Sequence, residues 1–294
     1  MSQQNVFLLT TKTFIGALVF AVGLQAQSSQ QSDRLSNYNK SVLADNPVMF
    51  LNMGSPRLGI EQDLSGNGNA GRYFPSVSRP RTVRMPNGEY AADFNGLDQY
   101  LEIRSAANLS VPTTGILTLE AWIRPRTLEF PKVEGSGYVY WMGKGMPNEH
   151  EYAMRMYSYT NAENRPNRIS GYAFNLTGGL GSGAYFQDAV KVDQWLHVTL
   201  VINTKATSAT YPTGYVKIYK NKRLRQTQGL HQFDVIPGAG SAPLRIATRS
   251  LNSFFLGAIG KVAVYDYELK PAQIVKHQDV MCKSGGCYGA FWEN

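Results

Sequence analysis

Cysteine is nearly absent from this 294-residue chain: only Cys282 and Cys287 occur, separated by Lys-Ser-Gly-Gly. That excludes a multi-disulfide framework and a thiolate-rich zinc site, and leaves room for one local bridge. The intervening glycines help meet the geometry a disulfide demands, so this bond is expected if the chain meets an oxidising compartment. Histidine is scarce too. His150, His197, His231 and His277 are scattered, no His-Glu-x-x-His pair occurs, and nothing points to a transition-metal centre. A Gly-x-Ser-x-Gly elbow and a cysteine with an activating motif are also missing. Sustained helical periodicity and internal repeats of fixed period are lacking as well.

No apolar stretch reaches spanning length. The uncharged run from Phe14 to Leu24 follows Lys12 and is about half the ~20 residues a membrane helix needs. Followed by Gln25-Ala26-Gln27, it reads as a secretory signal over residues 1–26; the large Leu24 near the cleavage point keeps an uncleaved anchor as the alternative. Residues 27–44 are rich in Ser, Gln and Asn and read as a flexible lead-in. A single domain is expected over 45–278, with a cysteine-containing tail at 279–294. Once the signal is removed, 28 Lys and Arg stand against 21 Asp and Glu, a net charge of +7. This excess favours an acidic partner, and export makes a polysaccharide a better partner than nucleic acid.

What the chain has in quantity is alternation. In Leu117–Arg124, Leu117, Leu119, Ala121 and Ile123 share one face, with Thr118, Glu120, Trp122 and Arg124 on the other. In Trp195–Asn203 the inner face is Leu196, Val198, Leu200 and Ile202, which leaves His197 outside; Leu101 and Ile103 point inward in Tyr100–Arg104. Successive strand side chains point to opposite faces, so this is how half-buried strands of a sandwich read. Asn95-Gly96 supplies a tight connection, Gly178–Gly183 reads as a hairpin or rim loop, and Pro271–Gln278 is a short helix with proline in its first turn.

Five stretches carry a further signal: DLSGNGNAG (Asp63–Gly71), AADFNGLDQYLEI (Ala91–Ile103), LTLEAWIRP (Leu117–Pro125), WLHVTLVIN (Trp195–Asn203) and LGAIGKVAVYDYELKPAQI (Leu256–Ile274). Their wording and order resemble the laminin-G-like, concanavalin-A-like jelly-roll family. The resemblance implies an all-β, two-sheet antiparallel jelly-roll sandwich with one short C-terminal helix. It also implies a surface that binds glycans or other extracellular ligands and in some relatives cuts them. Trp122 and Trp195 match family positions and read as structural.

Tyr138, Tyr140, Trp141, Tyr152, Arg155, Tyr157 and Arg168 cluster in mid-domain as a candidate glycan platform, because sugar rings stack on aromatic faces while polar side chains hold hydroxyls. Alternation sends Tyr138 and Tyr140 to one face and Trp141 to the other. Lys217, Lys220, Lys222, Arg223 and Arg225 crowd one hairpin, an anion site by family resemblance or a solvated, aggregation-deterring edge. Asp63, Asn67 and Asn69 are candidate Ca2+ ligands on a glycine-rich loop, or Asx-turn residues satisfying their own backbone. Where relatives write Ile-Asp-Glu-Val, this chain has Ile259-Gly260-Lys261-Val262, which replaces an acid with a cation.

Glu149 and Glu151 have the two-residue spacing of glycosidase carboxylates on one strand, yet the Glu-x-Asp-x-x-Glu pattern of laminarinase-like relatives is absent, and a solvated strand end is the alternative. Asn39, Asn108 and Asn175 open N-glycosylation triplets. Three classes therefore stay in contention: a secreted binding module for an extracellular glycan or glycoprotein, a hydrolase or lyase on the same fold, and an adhesive protein-binding module.

Overall fold

The structure, a computed structural model, describes residues 35–283 and Cys287. The segment expected as a signal and most of the C-terminal tail lie outside the described residues. Contacts divide the chain into two units, 1–40 and 41–294. The polar lead-in is not irregular throughout, since Asn37–Ala44 form a helix, α1.

Sixteen strands follow among the described residues. The first sheet has the order β14 (Arg223–Gly229), β13 (Tyr215–Lys220), β12 (Leu196–Asn203), β7 (Ile116–Pro125), β16 (Leu256–Tyr265), β5 (Tyr90–Asn95), β4 (Arg81–Arg84), with β1 (Met49–Leu51) also on β16. The second runs β11 (Gly178–Phe186), β10 (Ile169–Asn175), β9 (Tyr152–Tyr157), β8 (Tyr138–Lys144), β15 (Leu244–Ile246), β6 (Tyr100–Ile103), β3 (Gly71–Phe74), β2 (Ile60–Glu61). Every pairing is antiparallel.

The inner faces predicted by alternation are the inner faces observed. Leu117, Leu119, Ala121 and Ile123 meet Leu196, Val198, Leu200, Ile202, Leu101 and Ile103 in one buried core. Burying such side chains contributes about 1.5–3 kcal/mol each, which is what holds the two layers together. Gly171 on β10 marks the closest approach: a Cβ there would stand 2.3 Å from Leu200 Cδ1 across the core.

Three local features refine the reading. Asn95-Gly96 does make the tight connection between β5 and β6, with Gly96 at φ 73°, but the two strands belong to different sheets. Asn95 Oδ1 accepts from the backbone N–H groups of Leu97, Asp98 and Gln99, organising a corner between the layers. The Asn221-Lys222 connection is a two-residue turn, with Asn221 taking the left-handed conformation (φ 54°) that asparagine tolerates. Finally, the C-terminal helix, α2, extends over Pro271–Cys282, and Cys282 is bonded to Cys287.

The outer faces of the two sheets differ. On the first sheet Thr118, Glu120, Trp122 and His197 point away from the core, yet each is 0% exposed. His197 stacks on Trp122 with ring centroids 4.9 Å apart, and its Nε2 lies 2.6 Å from Glu120 Oε1. Glu120 also meets His277 Nδ1 of α2 at 2.9 Å and accepts from the Tyr265 hydroxyl at 3.0 Å. His197 does lie against the outer face of the sheet, as a packed rather than a solvated group, because α2 docks there through His277. No helix among the described residues is long and apolar enough to cross a membrane.

Candidate functional site

The outer face of the second sheet is rich in aromatic and guanidinium groups, some buried and some open to solvent. On β9, Tyr152, Met154 and Met156 enter the core, so Arg155 and Tyr157 face outward. On β10, Ile169 and Ala173 point inward, leaving Tyr172 and Phe174 outside; on β11, Tyr185 is the outward residue between Ala184 and Phe186. A bulge on β8 between Tyr140 and Met142 lets Trp141 and Met142 both reach the core, while Tyr138 and Tyr140 stay outside. Pairing register aligns Tyr140 with Arg155, Arg155 with Ser170, and Ser170 with Tyr185.

Arg155 sits at the centre of this surface. Its guanidinium carbon lies 4.3 Å from the Tyr138 ring centroid, 4.6 Å from Tyr172, 5.0 Å from Tyr140 and 5.5 Å from Phe174. Its Nη2 donates to the Tyr140 hydroxyl at 2.9 Å. From the segment after β15, Arg249 comes down on the same rings, 4.1 Å from Tyr140 and 5.6 Å from Phe174. Burial lowers the Arg249 pKa; Tyr140 opposes it, and the neighbouring Arg155 charge adds a smaller lowering. On the β11 side Arg168 stacks over Tyr185 at 3.9 Å and donates to Gln187.

The row continues across the rest of the sheet. Phe254 lies 6.3 Å from Tyr100, which stacks on Phe74 at 5.1 Å with the planes 15° apart. Phe74 on β3 and Tyr185 on β11 are six strand steps apart, roughly 29 Å at about 4.8 Å per step. Tyr138, Tyr172, Tyr100 and Phe74 are half-buried and Tyr185 is 37% exposed, so rings along the row remain open to solvent.

Of the platform residues named from sequence, Tyr138, Tyr140, Arg155, Tyr157 and Arg168 do come together on this face. Trp141 and Tyr152 do not: both are 0% exposed in the core, and the Tyr152 hydroxyl donates to the Leu109 carbonyl. Sequence reasoning missed Tyr172, Phe174, Tyr185, Arg249, Phe254, Tyr100 and Phe74. The alternation Gly171-Tyr172-Ala173-Phe174 was a readable signal for two of them; Arg249 lies in a loop and had none.

The Glu149 and Glu151 pair does not form a carboxylate couple on a strand. Both precede β9 and fasten the same loop: Glu149 accepts from the Ser241 hydroxyl, and Glu151 accepts from the Gly240 N–H. Glu151 is 1% exposed and ion-paired with Lys144, itself 0% exposed, so it is neither a solvated strand end nor open to substrate.

The basic hairpin is largely neutralised. Lys217 pairs with Glu268, Lys220 and Arg225 with Asp188, and Lys222 with Asp279, leaving exposed Arg223 as its lone unpaired cation among these five.

The Asp63 loop is built as a turn. Asp63 Oδ1 accepts from Phe50 N, Ser65 N and Ser65 Oγ, while Oδ2 accepts from Asn69 N. The Asn67 and Asn69 amides donate to the carbonyls of Pro47 and Val48. No group of three or more His, Cys, Asp or Glu side chains able to hold a metal ion occurs among the described residues. These donors do not fit a Ca2+ shell of six to eight oxygens. At the position where relatives carry an acid, buried Lys261 contacts Asn52 and lies 2.8 Å from Glu89, with its pKa pushed down by burial to about 8.

The model of the concanavalin A-like lectin/glucanases superfamily matches residues 95–275, more than half of the chain. The chain belongs to that superfamily. Among curated proteins none matches the sequence. Solved structures sharing the concanavalin A-like sandwich include a receptor-binding domain of botulinum neurotoxin C/D mosaic serotype, at 12% identity and a TM-score of 0.56 over 80% of this chain and 51% of that one. Another is the botulinum neurotoxin serotype D ligand-binding domain in complex with N-acetylneuraminic acid, at 12% identity and 0.57 over 83% and 52%. A third is the binding domain of botulinum neurotoxin DC in complex with rat synaptotagmin II, at 12% and 0.55 over 81% and 52%. This chain spans about half of those structures, and at such identity the likeness is one of fold.

Proposed function

We propose that the protein is a secreted, non-catalytic carbohydrate-binding module whose ligand lies across the outer face of the second sheet. The observation that carries this reading is the row of rings from Phe74 to Tyr185, interleaved with arginines and part-exposed at Phe74, Tyr100, Tyr138, Tyr172 and Tyr185, while the opposite sheet meets α2. Its length suits an extended chain of several sugars. Flat half-exposed rings offer stacking faces, and the tyrosine hydroxyls and guanidinium groups offer hydrogen bonds to sugar hydroxyls. The disulfide agrees with an oxidising, extracellular location. The bound N-acetylneuraminic acid of the serotype D neighbour supports the choice of a glycan without fixing which one.

A glycan array followed by calorimetry on the best binder tests the proposal. Tyr172→Ala and Tyr185→Ala are each expected to weaken that binder about tenfold. Because both rings are partly solvent-exposed, stability should change far less than binding. A blank array with capture of a protein partner overturns the reading in favour of an adhesive module. Turnover of the bound glycan, abolished by Glu149→Gln, overturns it in favour of an enzyme.

A further inference from the structure

The two central arginines of this face differ from the ion-paired arginines of the chain. Arg124 pairs with Asp193, Arg126 with Asp93, Arg165 with Glu163, Arg225 with Asp188 and Arg245 with Glu102. Arg155 and Arg249 have no carboxylate. Arg155 makes a single side-chain hydrogen bond, to the neutral Tyr140 hydroxyl, and its Nε is buried without a partner. Arg249 is 6% exposed, and its Nε and Nη1 are buried without partners. Both guanidinium groups lie within 6 Å of the Tyr140 and Phe174 ring centroids, which gathers two like charges at one place. Glu134, which accepts from the Ser250 hydroxyl, acts on Arg249 through its charge but forms no ion pair with it.

Placing two desolvated cations side by side with unmade hydrogen bonds is costly, and ring faces return part of that cost. The missing partner is an anion with several acceptor oxygens in a plane or fork, the shape a guanidinium matches with paired N–H donors. Resting on the proposed glycan-binding face, we infer that Arg155 and Arg249 form a two-guanidinium clamp for an oxyanion carried by the sugar chain, a carboxylate or a sulfate ester. The clamp makes the module selective for acidic over neutral glycans. Tyr140 holds Arg155 in place, the aromatic row takes the uncharged rings, and the neutralised hairpin contributes nothing to this selection.

An array of matched neutral, uronic-acid, sialylated and sulfated glycans tests the clamp on the full-length exported protein. The parent should bind acidic members at least about 30-fold more tightly than their neutral counterparts. Response in the uronic-acid or sialylated arms identifies a carboxylate, and response in the sulfated arm a sulfate ester. Arg155→Gln and Arg249→Gln should each erase the preference, while Arg249→Gln melts no lower than the parent because it removes an unpaired buried charge. If Arg249→Gln does fold poorly, Arg249→Lys keeps the charge without the fork and is expected to lose the preference in a folded protein. Equal binding of neutral and acidic members by the parent, or a preference that survives in the folded arginine variants, overturns the clamp and leaves the glycan-binding reading standing. An array blank throughout overturns both.

Discussion

Glu120→Ala is expected to destabilise the protein by about 3–5 kcal/mol, the cost of removing one partner from a buried charged network. For a domain of this size that corresponds to a fall of about 10 °C in melting temperature. Glu120 is 0% exposed and is met by His197, His277 and Tyr265, while His277 Nε2 lies 3.0 Å from Asp45 on its other side. Alanine leaves these polar groups facing a cavity under α2. The pH dependence has a defined sign. Burial opposes ionisation of Glu120, but the charges and hydrogen bonds of His277 and His197 outweigh it and hold the carboxyl far below its ordinary 4.5. Burial likewise opposes the charge on His277, yet Glu120 and then Asp45 raise its pKa above the ordinary 6.5.

The Glu120 contribution is therefore present above pH 4.5 and lost as pH falls through its depressed value. The His277 contribution is complete below pH 6.5 and lost as pH rises through its raised value. Urea denaturation of Glu120→Gln against the parent should show the largest stability difference between pH 4.5 and 6.5, shrinking as His277 gives up its proton. A difference that keeps its full size as pH rises well above 6.5 would show that Glu120 acts through shape alone.

Glu151→Gln is expected to cost about 3–5 kcal/mol as well, because it strands the Lys144 ammonium at a site with 0% exposure. The Gly240 N–H and the Lys144 Nζ that Glu151 now holds would both be left poorly matched, and Lys144 also donates to the Gly240 carbonyl. The loop containing Gly240 and Ser241 should loosen with it. The double variant Lys144→Met/Glu151→Leu should recover most of the lost stability, since an apolar pair of similar volume needs neither desolvation nor a partner. Chemical denaturation of the three variants measures this. A glycosidase in which Glu151 acts on substrate would behave in the opposite way, with near-parental stability and loss of turnover.

The sandwich was legible because its information is local. Leu117, Leu119, Ala121 and Ile123 alternate within one strand, and every such strand has only one way to bury its apolar face. The outer faces were harder to read. Glu120, Trp122 and His197 carry a surface-like pattern, and only the long-range docking of His277 on α2 makes them interior. Glu149-His150-Glu151 looked like strand chemistry because spacing was visible and the burial of Lys144 was not. The candidate site shows the same limit: Tyr138, Tyr140 and Arg155 were found by proximity in sequence. Trp141 falls on the core face with Val139, as its alternation with Tyr138 and Tyr140 already indicated, and Arg249 reaches the site from a loop more than ninety residues away from Arg155.

A crystal structure of the protein bound to the tightest acidic glycan from the array tests the central claim most directly. The account predicts a sugar chain crossing β8, β9, β10 and β11 on their outer face, stacked on Tyr172 and Tyr185, with its acid group against Arg155 and Arg249. A glycan held instead at the Asp63 loop or along the β13–β14 hairpin, with the aromatic row empty, would contradict it.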